Sequence, residues 1–352
     1  MIPFKDVVLQ VFAKLKEPTL WADAGYVVAY DQFLVWKPKV EIFDWDAPSS
    51  GKILKRNKDI ESTPDGGYNI KCGEYIYSVD SIGALTSIRW REKEYLAGPL
   101  EPDFWKPAND NQIRNDYERA MGVWRNVGPE RKVIGSEIRT VKRNKMKYTQ
   151  LRYNYETSVG ALLTLCYEFS ESEVKVSFSY DPAQVQVESL PRLGMRMRVS
   201  SSFFEVVRWN GRGPWENYPD RKNGALFGEY TLPVSEYMVD YVYPQDNSNR
   251  SDCYSFSLTY DYFNKRIKAY GPTSMSVMSS EPFNLRIWNY SEEDLETARH
   301  GYELPQRDYL NINIDKEIIG VGGNDAWGAK TEPQYIPSAK EPHSLSFTIR
   351  LE

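Results

Sequence analysis

Apolar and polar residues alternate with a period of two along most of this chain. Val174, Val176, Phe178 and Tyr180 share one face of an extended segment, and Leu193, Met195, Met197 and Val199 do so against Arg196 and Arg198 on the other. Successive side chains of a strand point to opposite faces, so such runs predict half-buried antiparallel strands. Tyr68, Ile70 and Cys72 repeat the pattern, as do Leu151, Tyr153 and Tyr155, then Leu163, Leu165, Tyr167 and Phe169, and finally Leu345, Phe347, Ile349 and Leu351. Turn-rich pieces such as "TPDGG" and "RNKMK" separate them. The stretch "EYIYSVDSIGALTSIRW" predicts a hairpin that turns near Ser81 to Gly83. An all-β protein with large sheets follows.

Helical spacing is scarce. From Ile113 through Tyr117, Ala120, Met121 and Trp124 the apolar residues predict one short amphipathic helix, with Gly128 placed to stop it. Ser291 with Asp294 three residues on predicts a second helical turn. "PKVEIFDWDAPSSGK" interrupts the alternation, which puts a domain boundary near residue 50. Residues 1–50 are then too few for an independent domain. They are expected to hold about three strands, Val7 to Lys14 and Gly25 to Trp36 among them, and to need partner strands from elsewhere.

Composition narrows the function. Lys plus Arg is 44 and Asp plus Glu is 49, with no long run of either sign, which argues against nucleic acid or an anionic membrane as a partner. No apolar run is long enough to span a bilayer, and "MIPFKDVVLQVFAKLKEPTL" has charges where a signal peptide would have its apolar core, so the chain reads as soluble, cytoplasmic or periplasmic, with the compartment open. Cys72, Cys166 and Cys253 show no CxxC spacing and predict buried free thiols. With histidine only at 300 and 343, a His-rich metal site or a His-activated nucleophile is improbable. Aromatics abound instead: 25 Tyr, 14 Phe and 10 Trp. Flat rings are what sugar sites use, since the C–H face of a pyranose stacks on them; filling strands is the alternative use.

Four motifs carry a specific resemblance. "WNGRGPWENYPDRKNGALFGEY" (209–230) resembles the GPxENYxDR signature of the C-terminal domain of the large retaining β-galactosidases, the family that includes the bacterial lactose-cleaving enzyme. "FWKPANDNQ" (104–112) is similar to that domain's FWRxPTDND, "YVYPQDNSNRSD" to its PYxxPQENGxRxD, and "LNINIDKEIIGVGGNDAWG" to its LNIDxxxxGVGGDDSWG. "LWADAGYVVAYDQF" (20–33) resembles the end of the immunoglobulin-like domain that precedes it.

The resemblance implies residues 51–352 forming an antiparallel supersandwich of the galactose-mutarotase-like type, with 1–50 the last strands of an immunoglobulin-like sandwich plus a linker. It implies retaining hydrolysis of terminal β-galactosides such as lactose by two glutamates, held on a barrel that nothing in this chain resembles. A retaining mechanism sets the two carboxyls roughly 5 to 5.5 Å apart. The partners implied are therefore the catalytic domains, in a longer chain or a large subunit, and a galactoside; self-association is left open. The family's magnesium and sodium ions are bound mainly on the barrel, so no metal or other cofactor is expected here.

For the site, the resemblance points to Trp327 as an aromatic platform for the leaving-group sugar. Burying on the order of 50 Å² of apolar area there would contribute roughly 1 to 2 kcal/mol, enough for affinity but not for catalysis. Gly322 and Gly323 are expected to act as a hinge that lifts the ring clear, with Asn324 and Asp325 bonding nearby amides. A tryptophan packed in its own core is the alternative. Asn324 and Ala326 depart from the family's Asp and Ser.

Asp110 and Asn111 match the family's DN before a loop that can move over the active site, but Gln112 replaces the next Asp and Arg114 the glycine that opens the loop, so the motion is in question. Glu216 and Asp220, four apart with Pro219 between, are expected to form turn hydrogen bonds or an ion pair with Arg221 rather than a catalytic pair. "GVGG" lacks the following helix that a phosphate cradle needs. The competing functions are a stand-alone carbohydrate-binding module and an aldose 1-epimerase, the second resting on fold resemblance alone.

Overall fold

The computed structural model describes residues 7–36, 43–46, 52–54, 57–143, 145–260, 271–325 and 327–352. Its architecture is antiparallel β throughout. Pairing runs from Lys132–Arg143 through Met146–Glu156, Leu162–Phe169 and Glu173–Asp181 to the last strand, His343–Leu351. The next strand, Ser274–Trp288, joins two runs of sheet. Its 275–278 part pairs with the last strand and with Arg250–Thr259, while 284–288 pairs with Tyr309–Ile318. From Tyr309–Ile318 the pairing continues through Arg192–Ser200 and Leu96–Asp103 to the hairpin of Tyr75–Val79 and Leu85–Trp90.

The two runs pack face to face. Tyr153, Tyr155 and Tyr167 on one donate their hydroxyls to the carbonyls of Asp80, Ile82 and Gly83 at the hairpin turn of the other. The turn falls where the sequence predicts it. Gly83 adopts φ +79°, and a Cβ there would lie 2.3 Å from the Tyr155 hydroxyl, so only glycine lets the layers close. Each set of apolar positions named above lies in a strand, and Leu193, Met195, Met197, Val199, Phe178 and Leu165 are fully buried between the layers. Burial of such side chains contributes about 1.5 to 3 kcal/mol each.

Three expectations are corrected. The helix expected from Ile113 to Trp124 is broken into Asp110–Arg114, Tyr117–Met121 and a 3-10 turn, Gly122–Trp124. The break falls where Asp116 takes φ +57° and the Asn115 amide turns back to donate to the Asn111 carbonyl, 2.8 Å, and to the Gly328 carbonyl, 2.9 Å. Arg196 does not face solvent. It is largely buried, donating to Glu292 at 2.5 Å and to Glu101 at 3.1 Å, because the Glu292–Thr297 helix, capped by Ser291 and Asp294 as expected, covers that face. Cys72 is only partly buried, while Cys166 and Cys253 are buried; burial pushes the Cys72 and Cys166 thiols up to about 12.

Val7–Lys14 and Val27–Trp36 form a separate antiparallel ribbon. Leu9, Val11, Phe12, Val28, Phe33 and Leu34 are all exposed on it. The ribbon meets the main body through the Gln32 amide, which donates to the Phe227 carbonyl at 3.0 Å and accepts its N–H at 2.6 Å. A third strand and the boundary near residue 50 lie outside the described residues. Phe43 and Trp45 are already buried against Cys166 of the main body.

A charge network fills the space behind the second run of sheet. Arg192 donates to Asp315 (2.7 Å), Glu292 (2.5 Å) and Asp103 (3.1 Å), and Arg286 bridges Asp315 (2.8 Å) to Asp246. Removing one member strands the others in a medium that solvates charge poorly. We expect Asp315→Asn to lower unfolding free energy by about 3 to 5 kcal/mol, and Glu74→Gln, at an exposed pair with Arg91, by less than about 1 kcal/mol; urea titration measures both. Glu292 is buried, which opposes ionisation, yet Arg196 and Arg192 hold its carboxyl down at about 2 against an ordinary 4.5. Its ionic contribution is therefore full above pH 4.5 and fades as pH falls toward 2. The stability gap between wild type and Glu292→Gln should narrow across that window.

Candidate functional site

Four segments converge at one end of the sandwich: the 214–222 loop after Val206–Gly213, the 241–249 segment, the Asp110–Arg114 helix, and the 319–331 loop after Tyr309–Ile318. Asp220 joins the first to the last. Its carboxylate accepts the N–H of Val321 at 3.0 Å and of Gly322 at 2.8 Å, while Arg221 donates to the carbonyls of Gly322 at 2.6 Å and Gly323 at 3.3 Å. Of the two expectations for Asp220, hydrogen bonds or an ion pair with Arg221, the described contacts show hydrogen bonds to backbone amides and no Asp220–Arg221 pair. Each side chain instead grips a loop about a hundred residues away.

These contacts explain the glycines. A Cβ on Gly320 would stand 2.6 Å from the Asp220 carboxyl carbon, and one on Gly323 2.1 Å from the Asn111 amide nitrogen. Gly322 and Gly323 also take φ +67° and +73°, where a side chain is strained. The loop is closed by the Gly323 N–H to the Ala329 carbonyl, 2.9 Å, and by Thr331 to the Gly320 carbonyl, 2.9 Å. It is a clamped turn, not the hinge expected from the sequence. Only a three-residue 3-10 turn, Pro333–Tyr335, follows it, and its first amides are held by Asp220, so the geometry is not that of a phosphate cradle either.

Trp327 stands on this clamped loop, 91% exposed, so the alternative of a tryptophan packed in its own core does not hold. Asp325 pins its backbone by accepting the N–H groups of Trp327 at 2.8 Å and Ala329 at 3.1 Å, an Asx-type turn. Among the described residues Asn324 makes no side-chain hydrogen bond, and Ala326 is outside them. The Asp110–Arg114 helix buttresses the loop. Asn111 donates to the Val321 carbonyl at 3.3 Å, Gln112 to the Gly320 carbonyl at 3.4 Å and Asn115 to the Gly328 carbonyl at 2.9 Å. Asp110 exchanges hydrogen bonds with the Gln245 side chain. Arg114 ends the helix with ordinary negative φ, exposed beside Gly328.

Glu216 serves the neighbouring loop. It accepts from the Tyr241 hydroxyl at 2.5 Å and from the Ser248 N–H, and burial raises its pKa. It is not paired with Asp220. Behind it, Tyr218 donates to Asp246 at 3.0 Å. Motif reasoning passed over Trp215, which is 75% exposed on this loop at the unspecified position of the GPxENYxDR pattern; its letter was the only signal. A cleft of about 590 Å³ beside the helix is lined by Trp105, Ile113, Tyr117, Arg125, Tyr243 and Glu296. Its charged groups are already paired: Asp116 with Arg119, and Arg125 with both Glu296 and Glu118, while Trp105 donates to Glu296 at 2.6 Å. Neither histidine is seen to touch the loop or helix that frame Trp327, and no cluster among the described residues is placed to hold a metal ion.

The family model described as the beta galactosidase small chain matches residues 74–350. The chain belongs to that family. Among curated proteins it is 27% identical over 349 residues to a beta-galactosidase of Priestia megaterium, covering 98% of this chain and 31% of that protein. A beta-galactosidase of Streptococcus thermophilus is 24% identical over 351 residues, again 98% of this chain and 32% of the relative. The small-chain region thus spans about a third of the length of these relatives. A solved structure of a galactose mutarotase-like protein from Lactobacillus casei aligns with 82% of this chain and all of its own at 10% identity, but with a TM-score of 0.43 it carries no weight.

The clamp makes a direct prediction for the small-chain loop. Gly323→Ala should lower stability by about 2 kcal/mol through backbone strain and the clash with Asn111. In an Asn111→Ala background only the strain persists, about 1 kcal/mol. A thermal-melt double-mutant cycle reads the difference, and simple additivity would contradict the close approach.

Proposed function

We propose that this chain completes a β-galactosidase, docking on a catalytic part that holds two glutamates and hydrolyses terminal β-D-galactosides such as lactose with retention. The observation that carries this reading is Trp327: an indole almost wholly in solvent on a backbone clamped from three sides, in a chain of the small-chain family. An indole held in solvent on a fixed backbone offers a flat apolar face on which the C–H face of a sugar ring can stack. In this reading the leaving-group sugar does. The apolar ribbon of 7–36 is covered by the same larger assembly, since a lone two-stranded ribbon is marginal in water. Metal ions that serve the active site are held by the catalytic part.

A stand-alone carbohydrate-binding module is favoured by one observation, the exposure of both Trp215 and Trp327. Calorimetric titration with galactose and lactose separates the two: millimolar or tighter binding by the isolated chain supports the module.

For the main reading, the isolated chain should not turn over nitrophenyl β-galactoside, whereas the assembly with the catalytic part should. Trp327→Ala in that assembly should reduce kcat/KM about five- to thirtyfold, the equivalent of the roughly 1 to 2 kcal/mol of ring burial. Turnover by the isolated chain sinks the proposal.

A further inference from the structure

We infer that Arg114 is a specificity-determining residue that selects leaving groups bearing a carboxylate or a similar oxyanion. The inference rests on the reading of Trp327 as the leaving-group platform. Its basis is the face of the Asp110–Arg114 helix turned toward that platform. Asn111 and Asn115 both donate to carbonyls of the Trp327 loop, and Arg114 lies three residues after Asn111, on the same side of the turn. The Arg114 Cβ is 3.9 Å from the point a Cβ on Gly328 would occupy, next to Trp327 in the chain. Helix and loop are stapled together, so the spacing between the Arg114 stem and the backbone that carries Trp327 is set by the fold.

The guanidinium has no assigned task within the described contacts. Arg114 is exposed, and no hydrogen bond or ion pair to it is described. The nearby acids are engaged elsewhere: Asp110 with Gln245, Asp116 with Arg119, Asp325 with the amides of Trp327 and Ala329, and Asp220 with those of Val321 and Gly322. A planar fork of N–H donors on the helix that packs against the loop carrying a flat ring suits a ligand that stacks and carries a planar anion, because guanidinium binds carboxylate in a bidentate manner. A neutral sugar would use the ring alone. An acidic one, such as a uronic acid joined to galactose, would use both.

The test compares two fluorogenic substrates on the assembled enzyme, 4-methylumbelliferyl and 3-carboxyumbelliferyl β-galactoside, which differ in charge on the leaving group. In Arg114→Gln the ratio of kcat/KM, carboxylated over neutral, should fall about tenfold. Arg114→Lys should retain part of the preference, and added salt should weaken it in the wild type, as for any partly exposed charge pair. Product inhibition by glucuronate, glucose 6-phosphate and glucose distinguishes carboxylate from phosphate recognition; equal inhibition by all three overturns the inference. An unchanged ratio in Arg114→Gln overturns it too. So does an equal loss on both substrates, which would make Arg114 a docking group for the catalytic part. An assembled wild type that cleaves neither substrate instead overturns the reading of the chain as part of a β-galactosidase.

Discussion

Arg286 sits between Asp246 and Asp315 with no exposure to solvent, and the arrangement of the candidate site depends on that bridge. Buried charge is costly unless each ion finds partners, and a network of this kind specifies one arrangement of its chain segments more than it adds net stability. Here it fixes which segments meet. Asp315 belongs to the strand that runs into the Trp327 loop. Asp246 takes a hydrogen bond from Tyr218 and lies 3.4 Å from the Lys106 ammonium, which in turn donates to Gln112 at 2.8 Å. Burial lowers Lys106 to about 8 despite the pull of Asp246. Gln112 then reaches the Gly320 carbonyl. The four sequence motifs are thus four sides of one charge cage.

That unity explains what the sequence made legible. A strand with one face between two layers must alternate, so Leu193, Met195, Met197 and Val199 declare themselves through periodicity alone. The opposite face of the same strand is not legible in this way. Arg192 and Arg196 look like solvent-facing residues by type, and only the acids brought in by the Glu292–Thr297 helix and by Asp103 and Asp315 turn them inward. Periodicity records that two faces differ; it does not record whether the polar one is wet. The helix that broke at Asp116 failed for a related reason, since the Asn115 side chain is drawn to a carbonyl of a loop more than two hundred residues away.

The site was legible as residues but not as a mechanism of support. Trp327, Gly322 and Gly323 could be singled out from spacing and resemblance. What holds them could not, because Asp220 and Arg221 act across a hundred residues on backbone groups, and backbone partners leave no trace in side-chain chemistry. Trp215 was missed for the opposite reason, since it fills a position that the motif leaves open.

The clamp changes what the glycines mean. A glycine-rich loop around an exposed tryptophan invites the idea of a flexible arm that settles on its ligand. In this chain glycine is required because neighbours come too close for a Cβ: Asp220 at Gly320 and Asn111 at Gly323. Those neighbours then remove the freedom that glycine would otherwise confer. A platform fixed before its ligand arrives loses little conformational entropy on binding, so more of the modest stacking energy of one indole is available as affinity. In the proposed reading the ring serves a second sugar without moving, once the surface carrying the reacting glutamates is brought to it.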